Sequence, residues 1–324
     1  MNLLDALRYL VALERHRHFG RAAQSCHITQ PALSNAIRAL ESHFGVTIVR
    51  RSRQYGGLTP EGELALGAAH RMLHEAEALR QALAGRSGAP RGRLQLGAVP
   101  TAMPIAARFA ARLRVLHPGL LPVLRSLSSP EIDNGLDNLS LDLALGYSGR
   151  PEVAQRRLAV WPQYAERYFV VRRSGLPGAP FAFGPAMHWQ DALALPLVML
   201  TPDMHNRRLV DEAFAAVGAT PEPALETNSV LALLVALQEP GLAAVLPGAL
   251  VDAALVHTAP DQPGLLARPL GWPELHTPIA FLSNAVAPPT LALQAALALA
   301  GQADWLARVA AHSGALGGEF CGAG

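Results

Sequence analysis

Apolar positions near the start of the chain recur at helical spacing, and the spacing is interrupted twice. Leu33, Ile37 and Leu40 lie four and three residues apart and Phe44 continues the stripe, which predicts a helix with one buried face. Thr29 can cap it through its hydroxyl, and Pro31 sits in the first turn where no N–H is needed. Just before, Gly20 to Ser25 is short and carries Ala22 and Ala23, as a first helix must if a second is to cross it closely. Cys26 to Ile28 forms the bend. After Gly45, Val46 to Val49 reads as a strand and Gly56-Gly57 as a turn, the outline of a wing.

Thr59 to Ala84 then reads as one continuous helix, with Thr59 as cap, Pro60 at the first helical position and Gly85 to Pro90 as terminator. Along it Ala65, Ala69, Met72, Ala76, Leu79 and Leu83 alternate in steps of four and three. That is a coiled-coil seam roughly 37 Å long, whereas a helix lying on its own domain needs a wider apolar stripe. These six residues are the expected dimerisation contacts. His70 and His74 have metal-capable spacing but no third ligand, so they are expected to be exposed polar residues, with no metal and no cofactor.

From Arg91 onward strand and helix patterns alternate, which predicts an α/β domain. Strands are expected at Leu94–Val99, Leu120–Leu127, Leu141–Gly146, Arg167–Val171, Leu197–Leu200, Leu242–Leu246, Leu265–Leu270 and Ile279–Leu282. Helices are expected around Ile105–Leu116, Pro130–Leu139, Asn206–Val217, Val230–Leu237 and Thr290–Ala300. That is too many elements for one small sheet, and two α/β lobes suit about 210 residues.

Charge adds a division of labour. Residues 1–60 carry eight arginines against Asp5, Glu14 and Glu41, a local net charge of +5, whereas the whole chain carries +2. Arg50, Arg51 and Arg53 cluster beside the wing, where they can grip phosphates without reading sequence. The exposed face of the second helix carries Gln30, Ser34, Asn35, Arg38 and Glu41, side chains able to meet base edges and phosphates in a major groove. The chain has no lysine, which excludes a phosphate loop with Lys, and its two cysteines exclude a disulfide framework. Cys26 reads as a small buried apolar residue, and Cys321 sits in the glycine-rich tail SGALGGEFCGAG, which reads as disordered. Asp5 and Arg8 interrupt any leader-like stretch, and Pro278, Asn284, Pro288 and Pro289 split the uncharged run 276–302 into pieces too short to span a bilayer. A cytoplasmic protein without a membrane partner is expected.

Phe19 with Ala22-Ala23, Thr29-Gln30-Pro31-Ala32-Leu33-Ser34, Ile37 with Leu40-Glu41, and Leu58-Thr59 with Gly62 together resemble the N-terminal motif of the LysR-type transcriptional regulators. The resemblance covers about the first 85 residues by motif and the rest by organisation. It departs at Asn35, where a basic residue is common, and at Val49, where Phe is. Family membership implies DNA contacts from Gln30, Pro31, Ser34, Arg38 and wing arginines such as Arg53, dimerisation through the long helix, and a two-lobed effector domain like the periplasmic binding proteins. The expected fold is thus α/β with an all-α winged helix-turn-helix domain at 1–58. A linker helix and hinge follow at 59–90. The effector domain is expected at 91–303, its first lobe about 91–161 and 267–303 and its second about 162–266, followed by a C-terminal segment at 304–324. The resemblance also implies a dimer or tetramer on an interrupted dyad operator, with RNA polymerase as a further candidate partner.

In open sheets, ligands bind where strands end and helix N-termini point free N–H groups. The junctions here carry Pro100-Thr101-Ala102, Ser128-Ser129, Thr201, Asp203, His205, Asn206 and Asn228-Ser229, an expected cradle for a small anion. The family resemblance singles out Thr101, Ser128 and Thr201. No arginine is evidently aimed into the cleft, which points to a compact effector such as a small carboxylate, and Leu200 to Arg208, LTPDMHNRR, resembles regulators of formate oxidation. A hydrolase could be assembled from Ser128, Asp203 and His205 but would not need the N-terminal unit, and a cytoplasmic small-solute-binding protein is the other rival, although a pure solute-binding protein needs export and no leader-like stretch is expected here.

Overall fold

The computed structural model describes residues 2–51, 55–84, 89–174, 181–256 and 264–314. Arg53, Cys321, Gly85 to Gly88 and most of the C-terminal tail lie outside the described residues, as does the side chain of Arg51.

Helices α1 (Leu3–His16), α2 (Phe19–Ser25) and α3 (Gln30–Phe44) form the N-terminal unit. Helix α1, which lies outside the two-helix pattern expected from the sequence, closes the core with Ala6, Leu7, Leu10 and Leu13 against Leu33, Ile37 and Leu40. Thr29 Oγ1 accepts from Ala32 N at 3.4 Å, and Gly45 ends α3 at φ 68°, a conformation that favours glycine. Strands β1 (Val49–Arg51) and β2 (Tyr55–Leu58) pair antiparallel as the wing. Two expectations shift here. Val46 to Ile48 is not strand, because Glu41 Oε1 accepts the backbone N–H of Ile48 at 3.0 Å and of Val49 at 3.2 Å. Glu41 therefore belongs to the wing base and not to the outward face of α3. Gly56 and Gly57 lie within β2, not in the turn. The hydroxyl of Tyr55 donates to Glu14 and ties the wing to α1.

Helix α4 (Pro60–Ala84) starts where Thr59 Oγ1 accepts from Gly62 N at 2.9 Å. Gly62 is buried, and a Cβ there would lie 2.2 Å from the carbonyl oxygen of Ile48. Gly62→Ala is therefore expected to destabilise the N-terminal unit by about 1–3 kcal/mol through overpacking against backbone. A lower thermal midpoint for that unit checks this; an unchanged one would mean that the entry to α4 shifts freely. The seam divides: Ala69 is fully buried and Ala65 half-buried in this unit's own core beside Leu66 and Leu73, because α1 lies across the first half of α4. Met72, Leu79 and Leu83 are exposed and Ala76 half-buried. The seam available to a second copy is thus the C-terminal half.

The remainder runs β3 (Gly92–Ala98), α5 (Met103–Leu116), β4 (Leu120–Ser126), α6 (Ser129–Asp137), β5 (Leu143–Tyr147), α7 (Pro151–Gln155), β6 (Leu158–Glu166), β7 (Tyr168–Arg173), β8 (Ala182–Phe183), α8 (Trp189–Ala192), β9 (Leu197–Leu200), α9 (His205–Ala216), β10 (Pro223–Thr227), α10 (Val230–Ala236), β11 (Ala243–Pro247), α11 (Gly248–Val256), β12 (Leu265–Pro269), β13 (Thr277–Asn284), α12 (Leu291–Ala300) and α13 (Ala303–His312). Among the described residues one sheet has the order β4-β3-β5-β13-β6 and the other β10-β9-β11-β7-β12-β8, one per lobe.

The chain crosses between lobes at Arg167 and returns between β12 and β13, several residues beyond the expected 161 and 267. The reason is β6, which pairs with β13 along its whole length from Leu158 opposite Asn284 to Glu166 opposite Thr277. Pro162 sits mid-strand without breaking it because β6 is an edge strand and needs no N–H on its outer side. Helix α13, beyond the expected domain end at 303, buries Trp305 and Val309 in the first lobe's core, with the Trp305 ring 5.1 Å from that of Phe109. No helix among the described residues is long and apolar enough to cross a membrane.

Candidate functional site

Two surfaces concentrate the polar chemistry. On α3, Gln30, Pro31, Asn35 and Arg38 are exposed and Ser34 half-buried, all on the side away from Leu33, Ile37 and Leu40. Arg38 Nη1 donates to Asn35 Oδ1 at 3.3 Å, so the two side chains are presented together. Arg50 is exposed on the adjacent wing strand. This is a protruding helix with a donor-rich face beside a cationic edge, a shape that fits a major groove flanked by phosphates.

The second surface is the cleft between the lobes. Strands β3, β4 and β5 run parallel, as do β9, β10 and β11, so their carboxyl ends face each other across it. Pro100, Thr101, Ser128, Ser129, His205 and Asn206 line one cavity there, together with Val99, Tyr147, Leu200 and Met204. Its volume is about 20 Å³. That is room for about one or two waters. The N-termini of α6 from the first lobe and α9 from the second both end at this cavity.

Hydrogen bonding inside the cleft is incomplete. Thr101 Oγ1 and Tyr147 OH are 2.8 Å apart and satisfy each other. Ser129 Oγ, only 4% exposed as a residue, is buried at the cavity without a hydrogen-bond partner, whereas Thr201 Oγ1, also buried and unpartnered, does not line it. Native interiors rarely leave such hydroxyls unpaired. Ser128, by contrast, is spent locally, its N and Oγ both donating to Glu131 Oε2 at 2.8 and 2.7 Å in a capping box. The His205 ring lies 4.6 Å from that of Tyr147. Burial, then the charges of Arg208 and Arg150, lower its pKa to about 4, so this imidazole is neutral near pH 7.

Behind the cavity the crossover holds a buried acid. Glu166 is fully buried at the end of β6, where Tyr168 OH donates to its Oε2 at 3.3 Å, and Asn206 Nδ2 donates to that hydroxyl at 3.2 Å. Glu166 Oε1, Tyr164 OH and Thr277 Oγ1 are buried there without a partner. Burial pushes the Glu166 carboxyl up to about 8 and raises the phenols of Tyr147, Tyr164 and Tyr168.

Several expected residues fall elsewhere. Asp203, Asn228 and Ser229 are exposed, and Ser229 caps α10 by accepting from Ala232 N. Ala102 is buried in the lobe core. The Ser128, Asp203 and His205 set is not assembled: Ser128 is bonded to Glu131 and His205 to Arg208. His74 is buried and His70 half-buried, neither a free surface residue. Cys26 is half-buried.

Cations do reach the cleft, contrary to the sequence reading. Arg150, Arg156 and Arg208 line a basin of about 600 Å³ that also touches Ser129, Tyr147 and His205. Arg150 is 8% exposed and held by Asp133 through two bonds of 2.9 and 2.7 Å. Arg207 turns inward to the Leu200 carbonyl, Asp211 and Glu226. Sequence spacing missed Tyr147 because the β5 pattern seemed to end at Gly146. It missed Glu166 because a charged residue at a strand end reads as exposed; the flanking Tyr164 and Tyr168 were the available signal.

Comparison with known proteins is consistent along the chain. Residues 4–63 match the model described as bacterial regulatory helix-turn-helix protein, lysR family, and residues 87–305 match the LysR substrate binding domain. A hydrogen peroxide-inducible genes activator of Dickeya chrysanthemi is 36% identical over 146 residues, 45% of this chain and 48% of that protein. The chain's match thus spans about half the length of that curated relative. Full-length OxyR from Pseudomonas aeruginosa superposes with a TM-score of 0.66 at 24% identity, over 91% of this chain and 96% of that one. CbnR in complex with its target DNA superposes at 0.61 with 19% identity, over 94% and 99%.

Proposed function

The chain belongs to the LysR family of bacterial regulators, and from that premise we propose that it is a DNA-binding transcriptional regulator whose response is set by a small molecule held between its lobes. The carrying observation is one cavity shared by both lobes, where the buried, unpartnered hydroxyl of Ser129 and the N-termini of α6 and α9 come together. A ligand with two acceptors, one meeting Ser129 Oγ and the other the N-terminus of α9, would engage both lobes and bias the angle between them, which is what a differential effector must do. Two helix N-termini directed at the same cavity favour an anion, and the small volume favours formate or another small carboxylate. Larger acids require the lobes to open toward the arginine-lined basin.

For DNA, Gln30, Pro31, Ser34, Asn35 and Arg38 face the groove and Arg50, Arg51 and Arg53 grip the backbone. Two copies, joined through Met72, Ala76, Leu79 and Leu83, would place their α3 helices on an interrupted dyad, with a tetramer covering two such pairs. RNA polymerase is the expected downstream contact.

The test is a footprint on the DNA flanking the gene, at two salt concentrations, with and without formate and acetate. Protection of an interrupted dyad that weakens with salt and changes extent with one acid is the expected result; no specific protection on any genomic fragment would overturn the reading. Thr101→Val should abolish the response to the acid while operator binding persists, measured by the same footprint. A normal response would place the pocket elsewhere.

A further inference from the structure

Helix α4 docks on two bodies. Its first half lies on the N-terminal unit, and farther along it His74 meets the first lobe, with Nδ1 3.6 Å from Asp142 Oδ1 and the two side chains 7% and 12% exposed. Asp142 is not free to follow the helix. Its other oxygen accepts the N–H of Gln95 at 2.6 Å, and its own N–H donates to the Gln95 carbonyl at 3.0 Å. The imidazole also faces the Pro288 carbonyl and Glu75, and Asp142 pushes it toward its charged form.

Next to this attraction stands a repulsion. Arg125 of β4, held to Gln95 Oε1 and the Ser140 carbonyl at 3.2 Å each, faces both His70 on α4 and Arg15 on α1. Burial and Arg125 lower the pKa of His70 to about 4, so one histidine of the pair is held neutral while the other is drawn to its acid. A contact made of one attraction set against a cation–cation approach is poised to loosen when either partner shifts.

What can shift it is visible in the sheet. Gln95 lies on β3 and Asp142 directly precedes β5, and these two strands are paired in parallel. At their other ends stand Thr101 and Tyr147, joined by the 2.8 Å hydrogen bond inside the cleft. One hydrogen-bonded rung faces the effector cavity and another faces the linker helix, about 16 Å apart along the strand.

We propose that β3 and β5 connect the cleft to the linker helix through the Asp142–His74 contact, so that the state of the Thr101–Tyr147 rung sets how firmly α4 is held to the first lobe. This rests on the cleft reading above but can be tested without ligand or operator, so its failure and the failure of that reading are distinguishable. The experiment is hydrogen exchange by mass spectrometry on full-length protein: wild type, Tyr147→Phe, Asp142→Asn and the double variant. Tyr147→Phe should speed exchange of the α4 amides around His74 by about three- to tenfold, and so should Asp142→Asn. The double variant should exchange no faster than Asp142→Asn alone, because both act through one contact. Thr101→Val removes the same rung and replaces Tyr147→Phe if that variant does not fold. Unchanged α4 exchange in the rung variant, or effects that multiply in the double variant, would overturn the proposal. His74→Gln, a neutral replacement, should reproduce Asp142→Asn, and full wild-type protection in it would likewise count against the charge contact.

Discussion

Glu166→Gln is expected to make the protein more stable above pH 8 and to flatten its stability between pH 5 and 8. Glu166 is fully buried at the crossover, and its pKa stands at about 8 against an ordinary 4.5 in the unfolded chain, with burial the largest cause. The folded state therefore keeps a proton that the unfolded state releases. The stability of the neutral carboxyl is fully present below about pH 4.5 and is lost progressively as pH rises through about 8. The whole gap corresponds to about 5 kcal/mol as an upper figure. Glutamine keeps the shape and never ionises, so it removes this slope while Tyr168 retains an acceptor. Thermal melts at pH 5 and pH 9 check it: wild type should lose midpoint between them and the variant should not. If both fall equally, another buried group carries the pH dependence. Because Glu166 lies at the crossover between β6 and β7, the same ionisation should favour separated lobes, so effector affinity should fall with stability as the pH rises.

Arg38→Ala should weaken operator binding by about 10- to 100-fold, the loss of one base-reading contact worth about 1–3 kcal/mol. Arg38 is exposed on α3, far from the fold's core, and its bond to Asn35 Oδ1 is a surface one, so folding and self-association should stay unchanged. Removing it also releases Asn35 from its orientation, and discrimination between operator variants should relax along with affinity. Arg50→Ala behaves differently, because a phosphate grip lowers affinity for all sequences and reduces the salt slope by about one. Gel shifts on the operator and on a scrambled fragment, with sedimentation as the control, separate the two. Equal loss on both fragments for Arg38→Ala would place that residue on the backbone and not on a base.

The elements most legible in the sequence were those whose partners are close in the chain. Thr29 and Pro31 start α3, Thr59 and Pro60 start α4, and each of these is a local hydrogen-bond or backbone requirement that neighbours alone satisfy. The face of α3 followed from period alone, since Leu33, Ile37 and Leu40 leave Gln30, Asn35 and Arg38 on the other side. The four-three alternation of α4 marks a stripe but not what covers it. Period tells which face is buried and not against what, and α1 claimed the half that holds Ala65 and Ala69.

The cleft shows the same divide. Its hydroxyls at strand ends are predictable because helices that follow strands need caps, and the same signal marks Ser128 and Ser229, whose hydroxyls are occupied locally. Which hydroxyl is left unpaired depends on what packs over it. Ser129 and Thr201 are orphaned, Thr101 finds Tyr147 46 residues away, and Arg150 finds Asp133, none of which any local pattern encodes. Glu166 is the clearest case: a carboxylate at the end of an amphipathic strand reads as solvent-exposed, and only the docking of Tyr164, Tyr168 and Thr277 around it removes the water and shifts its pKa. Local sequence thus determined the helix starts, the polar face of α3, the charge asymmetry and the family. Tertiary structure decided the lobe crossovers, the linker's partners and the ionisation of the cleft, because each depends on low-dielectric contacts between residues far apart in the chain.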